Sequence, residues 1–122
     1  MTYKIFSDLP IWQDGARLLE KIYNLTKNFP SDEKYALTSQ LKRAANSIIA
    51  NFAESHGRYF FRDKIRVLYI ARGEIEELRS HIMIAHKLGY LSKEVFKDLN
   101  DCYGKLLKNL NSYILNLVNK CK

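Results

Sequence analysis

Apolar residues in this chain recur in steps of three and four, and they keep that rhythm through four long stretches. In the clearest one, Leu37, Leu41, Ala44, Ala45, Ile48 and Phe52 are spaced by 4, 3, 1, 3 and 4, which puts all six on one side of an α-helix. Only two prolines and five glycines punctuate the 122 residues. Long helices with few turns follow from that, rather than a many-stranded sheet.

The turn signals divide the chain in the same places. Asp8 ahead of Leu9-Pro10 fits a helix start, because proline is tolerated where the first N–H has no partner. Trp12, Ala16, Leu19, Ile22, Tyr23 and Leu25 follow at helical spacing, Gly15 marks close packing, and Phe29-Pro30 ends the segment. Ser31-Asp32-Glu33 supplies a cap and an acidic first turn for the second helix, and Gly57 is its expected terminator. The third helix, from Phe61 to Leu88, carries Phe61, Ile65, Leu68, Ile75, Leu78, Ile82 and Ala85. Gly73 interrupts it at a cost of about 1 kcal/mol against alanine, so a close helix contact is expected there. Gly89 stops it, Ser92 caps the fourth helix, and that helix runs from Lys93 to Val118. The expected fold is all-α: an up-down-up-down antiparallel four-helix bundle forming one domain over residues 1–122.

Charge is distributed unevenly. The chain is +7, yet residues 1–41 balance and 73–122 carry only +2, leaving +5 on residues 42–72. There, Lys42, Arg43, Arg58, Arg62, Lys64, Arg66 and Arg72 face two acids, Glu54 and Asp63. Arg58, Arg62 and Arg66 recur every fourth residue, a column of like charges that repel by a few tenths of a kcal/mol per pair. Tyr59, Phe60 and Tyr69 lie among them, and aromatic rings beside guanidinium groups stack on exposed bases. The competing reading is a solvated face whose arginines pair with Asp63, Glu54 or acids of another subunit.

Other chemistries find less in the chain. Bundle metal sites draw on glutamates with paired Glu-x-x-His motifs, and no Glu-x-x-His occurs; Glu77 and His81 stand alone at i, i+4. His56, His81 and His86 have no serine or cysteine in a nucleophile setting, and no glycine-rich phosphate loop is present. No catalytic residue, metal or cofactor is expected. Cys102 and Cys121, roughly 28 Å apart along one helix, read as reduced thiols of a cytoplasmic protein. Neither a signal-peptide run nor a membrane span is expected.

Those residues also form a specific string. Phe6-x-Asp8-Leu9-x-x-Trp12-x-x-x-Ala16, Phe29-Pro30 and Leu37-Thr38-Ser39-Gln40-Leu41-Lys42-Arg43-Ala44-Ala45 are followed by Ser47-Ile48, Asn51-x-Ala53-Glu54 and Gly57-Arg58. Ala71-x-Gly73, Glu77-Leu78 and Leu88-Gly89-Tyr90 extend it over nearly the whole chain. It resembles the four-helix-bundle proteins encoded in 23S rRNA intervening sequences, a group that includes the accessory protein of diversity-generating retroelements. Ile49 stands where such proteins usually carry proline, and Ser55 where they carry glycine. The isoleucine restores an N–H donor, so the second helix is expected to run straighter. The resemblance implies a basic bundle assembled as a homopentamer, with no known catalysis. For the retroelement member it implies binding of nucleic acid and of a reverse transcriptase.

The expected function is therefore a non-enzymatic, homo-oligomeric protein that binds RNA or DNA with little sequence choice, through Lys42, Arg43, Arg58, Arg62 and Arg66. The alternative is a scaffold or adaptor for a polymerase or reverse transcriptase, with Trp12, Tyr23, Tyr35 and Tyr103 as anchors. Asn51 and Glu54 are expected to fix the turn before Gly57, Glu54 through Arg58.

Overall fold

The structure is a computed structural model that describes residues 5–121. Residues 1–4, part of the N-terminal stretch where no signal-peptide run is expected, and residue 122 lie outside the described residues. After a single 3-10 turn at Phe6–Asp8 come α1 (Pro10–Thr26), a second 3-10 turn at Ser31–Glu33, α2 (Leu37–Gly57), α3 (Phe61–Lys87) and α4 (Lys93–Lys120). Each helix packs on its neighbours in the chain, and α1 closes the ring on α4. Diagonal helices meet through long side chains in the middle, as Phe52 of α2 does with Tyr113 of α4.

Cross-helix partners fix the directions. Lys64 near the start of α3 meets the last carbonyls of α2, while Arg43 in mid-α2 meets Glu74 and Glu77. Arg79 bonds Asn100, whereas Arg62 and Tyr69 share a concavity with Val118 and Cys121. Gly15 abuts Ile49 and Tyr23 meets Lys42. Lys21 pairs with Asp98 near the start of α4, and Gly15 lies beside Leu106. As residue numbers rise on one helix they fall on its neighbour, so all four pairs are antiparallel. This is the up-down-up-down bundle expected from the apolar rhythm.

The core follows the stripes. Ile22 of α1, Leu41 and Phe52 of α2, Leu68, Ile75, Leu78 and Ile82 of α3, and Leu99 and Leu110 of α4 are all fully buried. Tyr103 lies among them with no hydrogen-bond partner for its hydroxyl among the described residues, and burial pushes the ionisation of that phenol far above its usual range.

The ends are capped as their residues allow. Ser92 accepts the Val95 N–H at 3.2 Å. Gly89 takes φ +83°, its N–H reaching the His86 carbonyl and that of Tyr90 the Ala85 carbonyl, a Schellman stop. At the same end the Tyr90 hydroxyl donates to Glu33 at 2.9 Å, and Phe29 packs on the Tyr90 ring.

Several sequence expectations need correction. α2 starts at Leu37 rather than at Ser31-Asp32-Glu33, which forms its own short turn. Gly57 is the last helical residue, with no positive φ; the stop comes from Arg58, whose backbone is extended. Phe61, expected on the buried stripe, is exposed at the head of α3. Among the described residues nothing lies within contact distance of where a Cβ on Gly73 would stand, so the close helix contact expected there is not made within the described bundle. Asn51 donates to the Ser47 carbonyl and hydroxyl within α2, not to the turn. α2 is one continuous helix through Ile49, and Ser55, buried, satisfies its hydroxyl on the Phe52 carbonyl at 2.7 Å.

Candidate nucleic-acid interface

The α2–α3 turn is three residues long, Arg58 to Phe60, and it brings the three arginines of the expected column to one end of the bundle. Lys64 makes that sharp reversal possible. Its ammonium donates to the carbonyls of Ser55 (3.3 Å), which also accepts the Arg58 N–H, and of His56 (2.9 Å), in the last turn of α2. Partial burial lowers the pKa of this lysine. Lys64 thus belongs to the architecture of the turn, and its charge is committed to the negative end of α2.

The three arginines then differ in how far they are occupied. Arg58 bonds Glu54 one turn earlier at 2.6 Å, a contact that raises its already high pKa. Arg66 approaches Asp63 only at 3.7 Å. Arg62 has no carboxylate partner among the described residues. Pairs of this exposed, intrahelical kind are each worth about 0.3–0.5 kcal/mol, so a phosphate competes with them readily.

Two shallow concavities share Arg62 and Arg66 as their common wall. Phe60 and Asp63 complete the first; Ile65, Tyr69, Val118 and Cys121 complete the second, across the seam with α4. The rings around them face solvent: Tyr59 is 86% and Phe60 64% exposed, packed edge-to-face with centroids 4.9 Å apart. Tyr69 is 45% exposed and carries the Arg72 guanidinium over its ring at 4.7 Å.

Lys42 and Arg43 stand elsewhere. About 22 Å of helix separates Arg43 from Arg58. Lys42 turns towards α1 and sits over the Tyr23 ring at 4.8 Å. Arg43 turns towards α3, where it pairs with Glu74 at 3.2 Å and with Glu77, while its Nε donates to Gln40 at 3.0 Å. Glu77 also holds His81 Nε2 at 3.3 Å. Burial first, then the Arg43 charge, lowers the pKa of His81 and outweighs the pull of Glu74. The fold therefore keeps Arg62 and Arg66 together on α3, leaves Arg58 in the turn before it rather than on the helical column expected from the spacing, and separates Lys42 and Arg43 from them and from each other. Nothing local in the sequence announces the Arg43 pairing, since its carboxylates lie some thirty residues away on another helix.

Elsewhere, a groove between α1 and α4 exposes Arg17, Lys21 and Lys105 over Leu18, Leu106 and Cys102. Arg17 is paired with Asp14 and Lys21 with Asp98, so little free charge lines it. Of the expected protein-docking anchors, Tyr103 is buried and Trp12 packs on Phe6 and the core, leaving Tyr23 and Tyr35 exposed. Among the described residues no three His, Cys, Asp or Glu side chains gather as metal ligands, and no helix is long and apolar enough to cross a membrane.

An antiparallel four-helix bundle with a cationic, aromatic-bearing turn at one end is the class defined by these features. Within it, the chain belongs to the 23S rRNA-intervening sequence protein family, whose pattern matches residues 7–112. It is similar to a protein of unknown function from the S23 ribosomal protein family of Bacteroides thetaiotaomicron, known from a crystal structure. The two are 25% identical with a TM-score of 0.79, over 85% of this chain and 97% of that one. No curated protein matches the chain.

Proposed function

We propose that this protein is a non-enzymatic, homo-oligomeric nucleic-acid-binding protein that holds RNA or DNA by its phosphates at the α2–α3 turn. The observation that carries the reading is the Arg58–Arg62–Arg66 group, whose middle member has no acidic partner among the described residues and whose flanking members hold only exposed neighbours on their own chain segment. Arg62 and Arg66 are the primary phosphate ligands and Arg58 contributes once Glu54 releases it. Lys42 makes a separate contact on the α1 side, while Arg43 is held in reserve by Glu74 and Glu77. Family membership supports a role beside ribosomal RNA, and the resemblance supports assembly of five copies, each bringing +7. Such a field attracts polyanions with little sequence choice.

Fluorescence anisotropy with a single-stranded RNA across a salt series tests the assignment. Affinity should fall steeply with salt, and alanine at Arg58, Arg62 and Arg66 together should flatten the log–log slope by about two, at roughly 0.7 for each phosphate that the variant leaves unneutralised. Equal affinity of the triple variant and the wild type at every salt concentration would remove the interface.

A second reading, a scaffold that docks protein, has its own support. On the outward side of α3, Ile70, Gly73, Glu77, Ser80 and Ile84 follow in steps of 3, 4, 3 and 4, with Ile70 and Ile84 exposed and Gly73 open. A helix face of that kind accepts another helix. Oligomer mass that survives nuclease treatment, together with no RNA affinity, would favour it.

A further inference from the structure

We propose that the turn end of the bundle selects unpaired nucleotides: a phosphate rests on the Arg62–Arg66 ridge, and the bases on either side of it stack against Phe60 and Tyr69. The inference rests on the phosphate-binding function proposed for this turn and deepens it.

Three observations carry it. The two concavities at this end are distinct yet share one cationic wall, Arg62 and Arg66, so a strand crossing that ridge has a pocket on each side. Each pocket offers an aromatic ring. Phe60 stands perpendicular to Tyr59 (85°), and a perpendicular pair leaves at least one ring face uncovered by the other. Tyr69, with Arg72 over its ring, forms a stacked cation–aromatic unit in the second pocket, beside the apolar surface of Ile65 and Val118. Finally, Tyr59, Phe60 and Phe61 are three successive aromatics exposed at one helix start, contributing nothing to the buried core. The core of this bundle takes aromatic rings at Phe52 and Tyr103, whereas these three stay exposed at the turn and offer flat apolar faces to a partner.

The bases of a duplex are already stacked on one another and present only their edges, whereas a single strand exposes faces. Backbone contacts alone would accept either form. Cations combined with free aromatic faces favour the unpaired strand, and base–aromatic stacking of this kind tolerates every base. The expected ligand class is therefore single-stranded RNA or DNA without marked sequence preference.

The test uses an unstructured oligonucleotide, the same strand annealed to its complement, and an abasic strand of equal length that keeps the phosphates and loses the bases. The wild type should bind the normal strand about tenfold or more tightly than either the abasic strand or the duplex. Phe60→Ala with Tyr69→Ala should bring the normal and abasic affinities together while leaving the salt slope in place; Phe60→Tyr with Tyr69→Phe should preserve the preference. Arg62→Ala with Arg66→Ala should weaken both strands alike. A wild type that binds normal and abasic strands equally would overturn the stacking proposal and leave phosphate binding standing. Absence of binding to any strand at low salt would overturn both. A normal thermal midpoint with a reduced oligomer mass in the aromatic variant would assign the rings to contacts between copies, and the proposal would fall.

Discussion

Gly15 and Ile49 occupy one another's space. A Cβ on Gly15 would overlap the Cγ2 methyl of Ile49, which is a branch at Cβ and has no freedom to swing aside. The glycine in α1 is thus explained by the isoleucine in α2, a position where the family resemblance leads one to expect proline. Gly15→Ala should cost about 1–3 kcal/mol through overpacking. In an Ile49→Ala background the same change should stabilise the protein, since alanine is the better helix former by about 1 kcal/mol. Urea denaturation of the four proteins in the cycle measures this coupling; an identical effect of Gly15→Ala in both backgrounds would show that the contact is not the reason for the glycine.

On α3, two features pull the helix in different directions. Gly73 sits in mid-helix with open space around it, so Gly73→Ala should raise the stability of the isolated chain by about 0.5–1 kcal/mol. If the change instead lowers the mass of the assembly, another helix lies on that face. Beside it, Glu74, Glu77 and His81 form the polar seam with Arg43 of α2. The folded state holds His81 neutral to a lower pH than the unfolded chain does, because burial disfavours the imidazolium. As pH falls through the ordinary histidine value near 6.5, the unfolded chain takes up its proton first. The stability attached to His81 is complete above that value and is lost on the way down to the lower folded value. Thermal midpoints between pH 7 and pH 5 should therefore decline less in His81→Asn than in the wild type.

Over the whole molecule, folding redistributes the charge that the chain order segregates. Arg43 counts towards the excess of +5 on residues 42–72, yet Glu74 and Glu77 from the following segment neutralise it. Lys64 counts as well, and it is consumed in closing α2. What remains at the turn end is a smaller, denser group, Arg58, Arg62, Arg66 and Arg72, set among the exposed rings of Tyr59, Phe60, Phe61 and Tyr69. Light scattering should give a mass of five times the 14.3 kDa chain without RNA, and the same assembly with added mass when RNA is present. A monomer in both conditions would rule out a ring of subunits.

The four helices, their order and most of their buried faces were legible in the chain, because a 3.6-residue rhythm of apolar side chains is a local property that survives in any correct fold. The Schellman stop at Gly89 and the cap at Ser92 were legible for the same reason. Gly57 ended α2 where expected, though without the positive φ of a C′ glycine, whereas Ser31 misled: a local cap signal names where a helix is able to start, and packing started α2 at Leu37. Among the five basic residues singled out, the spacing placed Arg62 and Arg66 together on α3, while Arg58, expected on the same helical column, stands in the extended turn before it. The different fates of Lys42 and Arg43 were decided only by tertiary structure: adjacent helical residues point about 100° apart, so which neighbour each one meets depends on the arrangement of the whole bundle.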